Sequence, residues 1–566
     1  MSDSTNQRNQ VLVIGWDGAT LDLAMPWIKA GRLPVLQKLL ETGGGGRLRS
    51  VLPVLSPSAW ASFATGVNPG QHGIFDFAQR TLGSYDLRLI TARDVKAPTL
   101  WRLLSDAGRR VAVINVPMTY PAEPVNGLMI TGLGTPDRQV FTYPPDLTEQ
   151  LRARGYRVNK TIFYRPGGEA EFLKETYEST QQVADIAVET LRQEPWDFFM
   201  VVFRDTDEMA HFFWKHMDSS HPAHNPSTDK QYADALLNYY QYLDRLTGQL
   251  IEAAQPGANV IIMSDHGLGP LYKDVYLNEW LRQNKQLALI AQAKPNYRQL
   301  LAKTGLTRSN VSRFLQRAGL AGFERSLRAT LGNKKNLLPA NNRASFPDAV
   351  DWPHTQWYSY GYHGQLFLNV SGREPQGVVQ QGPHYHQLRD EMAHLLSRMT
   401  DPEDGLPVVS SIIPQEQAFH GPYAELGADL VVIMRDMSYI TRHGYEFTEA
   451  SGLIFDRPTT FESGSHRLDG LFFFSGERFN SVGSTATHSI LDLAPTILSI
   501  LNVPIPKHME GDLLHNELTD DIKNQLKSYY DYVPNTLPNQ TQPDATLSPD
   551  EEAELTNRLK SLGYLD

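Results

Sequence analysis

Three apolar runs in this chain each lead into a carboxylate, and two of them have a histidine close behind. Residues 11–15 (VLVIG) are followed by Trp16-Asp17-Gly18. Phe198–Phe203 (FFMVVF) is followed by Arg204-Asp205-Thr206-Asp207 and then His211, and Asn259–Met263 (NVIIM) by Ser264-Asp265-His266-Gly267. Aspartate and neutral histidine are the oxygen and nitrogen ligands that borderline divalent metals accept. Asp207 and His211 are four residues apart, which puts them on one face of a helix that starts there. Asp265 and His266 stand at a strand-to-loop turn that can direct both into one crevice. A single Asp-x-x-x-His is usually a solvated helix face, whereas three carboxylates, each behind an apolar run, argue for one shared metal site.

A metal site needs a reacting partner, and residues 52–77 (LPVLSPSAWASFATGVNPGQHGIFDF) offer one. Ser56 and Ser58 lie in a small-residue turn ahead of residues 59–65, where a helix is expected. A hydroxyl at a helix N-terminus meets unpaired backbone N–H groups that can hold an anion, and a divalent metal would make it a nucleophile. The other reading is that Ser56 or Ser58 caps the helix. The local sequence leaves both open.

The elements that must position these residues follow from the patterning. Residues 11–15, Val111–Val116, Phe198–Phe203, Asn259–Met263, 429–434 and 470–474 are short continuous apolar runs, the mark of strands buried on both faces. Helical stretches at 33–40, 97–107 and 175–191 lie between several of them. This alternation predicts an α/β fold with a mostly parallel sheet between helices. Ligand sites in such sheets lie off the carboxyl ends of the strands, which is where the carboxylates fall.

The chain has 566 residues, a net charge of −11 and no cysteine. The missing cysteines exclude a disulfide framework, a thiolate zinc site, an Fe–S cluster and a cysteine nucleophile. Length alone allows several domains or one large α/β core with insertions. The polar start MSDSTNQRNQ lacks the pattern of a signal peptide, and no run approaches the roughly 18 apolar residues of a spanning helix. A soluble, cytoplasmic protein is expected.

Charge is unevenly spread. Residues 276–343 read as a helical insertion with 13 Lys/Arg against Glu279 and Glu324, a net +11 that leaves −22 for the remainder. Because it begins soon after Asp265-His266, the insertion is expected near the mouth of the site. It reads as a solvated cap, as a lid whose Arg313 and Arg317 attract anionic substrates, or as a contact for a membrane surface or nucleic acid. Residues 534–547 are linker-like, and Ser548-Pro549-Asp550-Glu551 is a capping box that predicts a terminal helix over 549–562, stopped by Gly563.

Asp17-Gly18, the block Ser56…Thr65-Gly66…His72-Gly73-Ile74, Asp207-x-x-x-His211, Ser264-Asp265-His266-Gly267 and Gly464-Ser465-His466 stand in the order found in the alkaline phosphatase superfamily. Over about residues 9–515, with 492–514 similar to the end of that core, the chain resembles the nucleotide pyrophosphatase/phosphodiesterase branch, and within it the bacterial phosphohydrolase/phosphomutase-like proteins. The resemblance implies a three-layer α/β sandwich around a central, mostly parallel sheet. Its catalytic core would be 9–275 and 344–515, with 276–343 as a basic helical cap and 516–566 as a linker and short helix.

It also implies two divalent metals, most often Zn2+, with Mn2+ the alternative. Asp17, Asp265 and His266 would hold one, with Ser56 reaching it, and Asp207, His211 and His466 the other. Ser56 matches the nucleophile, a threonine in most relatives: Gly66 follows ten residues on and His72 sixteen on, a count that Ser58 does not fit. The implied activity is cleavage of a phosphodiester or nucleotide pyrophosphate in a small phosphorylated substrate, through a covalent phosphoryl- or nucleotidyl-serine. Phosphomonoesterase or phosphomutase activity uses the same site. A non-catalytic phospho-ligand binder is the other class, and the complete ligand set argues against it.

Two positions depart from the family. The asparagine that touches a phosphoryl oxygen 21 residues after the nucleophile is here Phe77, preceded by Asp76, so another residue has to supply that donor. The Cys/Ser-x-Pro-x-Arg motif of sulfatases is absent, since Pro57 directly follows Ser56, and sulfate ester chemistry is not expected. Of the remaining histidines, His363, His384, His386 and His443 could line a pocket, with His363 a candidate substrate contact, while the His-Tyr-His at 384–386 reads more as a loop or surface feature and His72 as structural.

Overall fold

A continuous apolar run has no polar face to show to water, so it has to be covered on both sides. In a computed structural model of the chain, which describes residues 9–290, 346–442, 453–458, 461–525, 529–530 and 547–562, five of the six predicted runs lie in one ten-stranded sheet. Its strands are β1 (Val11–Trp16), β2 (Gly44–Arg49), β3 (Val111–Val116), β4 (Gly127–Thr131), β5 (Thr142–Tyr143), β6 (Phe198–Phe203), β7 (Asn259–Met263), β8 (Asp469–Ser475), β9 (Gly483–Ser484) and β10 (His488–Ser489). The order is β9-β2-β8-β7-β1-β6-β3-β4-β5, with β10 also on β2. The central strands β7, β1, β6, β3 and β4 run parallel, while β8 is antiparallel to both its neighbours.

Side chains alternate between two cores. Leu12, Ile14, Phe199, Val201 and Phe473 pack on one face, Val11, Val13, Phe198, Met200 and Phe472 on the other. The helices that flank this sheet include α1 (Ser56–Thr65), α2 (Leu100–Asp106), α3 (Glu169–Gln193), α4 (Asp205–Met217), α5 (Ala235–Ala253) and α6 (Leu493–Ile500). Helices α3, α4 and α5 cover the first face, and α1, α2 and α6 cover the second. The result is a three-layer α/β sandwich.

The sixth run corrects the expectation. Leu430–Met434 belongs to a separate antiparallel sheet with Trp357–Ser359, Gln365–Leu368 and Val409–Pro414. A continuous apolar run signals burial on two sides and does not say in which sheet. Here the cover comes partly from Leu388 and Met392 of helix Pro383–Ser397 and from Leu277, Trp280 and Leu281 of helix Leu277–Gln283. Residues 277–290, the start of the stretch read as an insertion, thus include part of this smaller core. Residues 291–345, with Arg313 and Arg317, lie outside the described residues, as do His443 and Gly563.

The terminal helix spans Pro549–Ser561, and Ser548 and Glu551 form the reciprocal capping box. Its Leu559 and Leu562 pack on Phe77 and Leu133, and Arg558 bonds Asp137 at 2.7 Å. Among the described residues no helix is long and apolar enough to cross a membrane.

Phe472 and Phe473 are adjacent on β8, fully buried, and in opposite cores. Each Phe→Ala change should therefore cost about 3–5 kcal/mol in urea unfolding. A loss below about 0.5 kcal/mol for either one would contradict burial on both faces.

Candidate functional site

The predicted ligands meet where the central strands end. Helix α4 leaves β6 with one intervening residue, and its spacing puts Asp207 Oδ1 3.3 Å from His211 Nε2. The short strand Gly464–Arg467 pairs antiparallel with Gly267–Pro270, with His466 opposite Leu268, next to the Asp265-His266 turn. Arg467 fastens this pairing by donating to the carbonyls of Pro270 (2.6 Å) and Met437 (2.8 Å). His466 Nε2 is 3.5 Å from Asp207 Oδ1 and 3.1 Å from His211 Nε2. His266 stacks on His466 with ring centroids 3.8 Å apart. Its Nε2 is 3.3 Å from Asp265 Oδ2 and 3.9 Å from Asp17 Oδ1.

All six side chains are buried. Ligand atoms of Asp207, His211 and His466 lie within 4.8 Å of one another, as do those of Asp17, Asp207 and His266. Asp207 therefore stands between the two groups that the resemblance implies.

Gly18 makes this approach possible. Its φ is +66°, and a Cβ would sit 2.4 Å from Leu268 Cδ1 and 2.8 Å from Asp207 Oδ1. Its N–H donates to Asp265 Oδ1 at 3.0 Å, and Trp60 Nε1 donates to Asp17 Oδ2 at 3.0 Å.

Hydrogen bonding fixes the imidazoles. The Nδ1 atoms of His211, His266 and His466 face the carbonyls of Gly464 (2.9 Å), Gly267 (3.1 Å) and Val54 (2.7 Å). A carbonyl can only accept, so each Nδ1 carries a hydrogen and each ring turns its Nε2 inward. Asp17 Oδ1 and Asp265 Oδ2 accept no hydrogen bond. Carboxylate oxygens and imidazole Nε2 atoms thus converge in a buried crevice, an arrangement that a cation satisfies.

Proton affinities show the crowding. Burial and the nearby Asp265 and Asp207 push Asp17 well above the usual carboxylate range, and burial lifts Asp265 to about 7. Burial opposes the charge on Asp207 and His211, yet each stabilises the other, so Asp207 falls well below its ordinary value and His211 rises to about 9. Burial, reinforced by His466, pushes His266 well down.

The two serines part company. Ser58 donates to the carbonyls of Pro53 (2.7 Å) and Leu55 (2.9 Å). Ser56 opens α1 after an extended Leu55, makes no cap bond, and places Oγ 3.3 Å from His266 Nε2. It is Ser56 that joins the cluster. His363 lies against His466, ring centroids 5.3 Å apart. His384 and His386 are exposed on helix Pro383–Ser397 and stay away from it. His72 is spent internally, accepting from the Ile74 N–H and bonding Ser62, and burial lowers it to about 3.

Several supporting residues carried no signal in the sequence. Lys160 Nζ is buried 2.8 Å from Asp205 and 2.6 Å from Glu208, clamping the first turn of α4 from behind. Trp60 and Arg467 act similarly on Asp17 and on the strand that bears His466. Their partners are distant in the chain, so no local pattern reveals them.

Residues 11–363 match the family model for type I phosphodiesterase / nucleotide pyrophosphatase. The chain belongs to that family. It is a phosphoric ester hydrolase, with buried Asp/His groups able to bind metal. Phosphonoacetate hydrolase from Sinorhizobium meliloti 1021, solved in complex with phosphonoacetate, shares the fold over 88% of this chain and 96% of its own, at 15% identity and a TM-score of 0.50. Murine ectonucleotide pyrophosphatase / phosphodiesterase 5 is similar over 88% and 95%, at 11% identity and a TM-score of 0.47. A comparison with curated proteins finds no match.

Asp265→Asn keeps the Oδ1 that receives the Gly18 N–H and removes one crowded charge. With chelator present the variant should be more stable than the parent, and its advantage should grow as pH rises from about 4 to about 7. Over that window unfolded Asp265 has lost its proton while the folded form, with its pKa raised to about 7, still holds it. Zn2+ affinity should fall by more than the roughly 10–100-fold typical of an outer-shell change. Thermal melts with chelator and with Zn2+ check both; destabilisation under both conditions would contradict the crowding.

Proposed function

We propose that the chain is a metal-dependent phosphodiesterase or nucleotide pyrophosphatase that works through a covalent phosphoryl- or nucleotidyl-Ser56. The supporting observation is the buried Ser56 hydroxyl 3.3 Å from His266 Nε2, in a cluster of three imidazoles and three carboxylates, two of whose oxygens accept no hydrogen bond. Asp17, Asp265 and His266, with Ser56, would hold one divalent ion, and Asp207, His211 and His466 a second. With nitrogen and oxygen donors alone, Zn2+ fits and Mn2+ is the alternative. Such ions lower the pKa of a serine hydroxyl and offset charge on phosphoryl oxygens.

The chain's own groups do the rest. Pro57 and the extended Leu55 hold Ser56 at the positive end of the α1 dipole, where negative charge on the attacking oxygen is favoured. Ser56 Oγ attacks phosphorus, the bond to the leaving oxygen breaks, and the phosphoryl group stays on the serine until water displaces it. The family match favours a diester over a monoester.

Ser56→Ala should bind the same amount of metal and lose at least about 10³-fold in turnover of a p-nitrophenyl phosphodiester. The wild type should prefer the diester to p-nitrophenyl phosphate. Near wild-type turnover by Ser56→Ala would overturn the assignment, and a preference for the monoester would favour the phosphomonoesterase reading.

A further inference from the structure

His363 reaches the centre from the smaller sheet, in the turn between strands Trp357–Ser359 and Gln365–Leu368. It is 7% exposed, with its ring nearly parallel to that of His466 (interplanar angle 25°). Its φ is +60°, between Gly361 at +74° and Gly364 at +71°. A left-handed backbone is cheap for glycine and costs other residues about 1–2 kcal/mol.

The surroundings leave the turn no alternative. Gly364 N–H donates to Thr441 Oγ1 at 3.0 Å, and Thr441 donates to the Gly361 carbonyl at 3.3 Å. A Cβ on Gly364 would lie 1.9 Å from the Val432 carbonyl oxygen. The fold therefore holds an imidazole, at a conformational cost, beside His466.

His363 differs from the three histidines of the cluster in one respect. His211, His266 and His466 each commit Nδ1 to a carbonyl, as a metal-ligating imidazole does. His363 Nδ1 is buried and has no hydrogen-bond partner. A buried nitrogen left unspent costs stability unless something outside the chain uses it. Phe77 cannot serve in its place, because its side chain packs on Leu133, Leu559 and Leu562.

We propose that His363 is a further catalytic residue, whose ring N–H donates a hydrogen bond to a non-bridging oxygen of the phosphoryl group transferred to Ser56. The proposal rests on the reading of the Ser56 cluster as a phosphoesterase centre. The donor matters most as charge builds on the phosphoryl oxygens, so its loss lowers kcat more than it raises KM.

The test uses the full chain loaded with Zn2+ and compares His363→Asn and His363→Gly, both of which tolerate positive φ. The readouts are kcat and KM on a p-nitrophenyl phosphodiester, Zn2+ content, Tm, and affinity for orthovanadate. The expected result is a kcat loss of about 10²–10³-fold, a KM within about threefold, and unchanged Zn2+ content. Orthovanadate binding should weaken in both variants, and His363→Asn should melt no lower than the parent because backbone strain is relieved. Three results would overturn the proposal: kcat within about threefold of wild type in both variants, loss of Zn2+ with activity, or lower Tm in both with unchanged orthovanadate affinity. Ser56→Ala run alongside separates the two readings. If it turns over like wild type, the Ser56 reading fails; if it is inactive while the His363 variants are active, only the His363 proposal fails.

Discussion

Three carboxylates sharing one buried crevice cannot all be ionised unless positive charge stands between them. Asp17, Asp207 and Asp265 are in that position, and most of the local architecture exists to keep them there. Parallel strands deliver them to one edge, Gly18 lets two segments approach within contact, and the Lys160 clamp fixes the first turn of α4. Backbone carbonyls set each imidazole so that its Nε2 faces the same space. The crowding shows in their proton affinities: burial and neighbouring carboxylates push Asp17 well above the ordinary range, burial lifts Asp265 to about 7, and Asp207 raises His211 to about 9 against the cost of burial.

The large sheet and much of the candidate site were legible in the chain because their signals are local. Continuous apolar runs marked the buried strands, and the residues after them marked the sheet edge. The spacing of Asp207 and His211 needs one turn of helix and nothing more. Other features depend on contacts between distant segments. The 429–434 run is apolar for the same reason as the others, and only its pairing with Gln365–Leu368 assigns it to the smaller sheet. Ser56 and Ser58 look alike until the carbonyls of Pro53 and Leu55 absorb the second hydroxyl. His466 comes to the centre through the pairing of Gly464–Arg467 with Gly267–Pro270, about two hundred residues away in sequence. Lys160 and Arg467 had no signal at all, since a lone basic residue reads as surface.

The smaller antiparallel sheet is more than a support. Its turn at 361–364 brings His363 against His466, so groups from both sheets meet at the centre. The large sheet carries the Asp/His cluster and Ser56, and the smaller one contributes a side chain whose hydrogen-bonding capacity the protein itself leaves unspent. Strain at His363 and crowding among the carboxylates are two forms of the same arrangement: local stability is given up where an ion or a phosphoryl group has to fit.

In the proposed metal-dependent centre, cations replace protons in the crevice. Calorimetric titration of Zn2+ into the metal-free protein, repeated at pH 7 in buffers of different ionisation enthalpy, counts ions bound and protons released together. Two ions per chain with release of protons is the predicted result, because His211, raised to about 9, holds a proton there and Asp265, raised to about 7, holds one in part. Failure to bind Zn2+, or binding without proton release, would contradict the account.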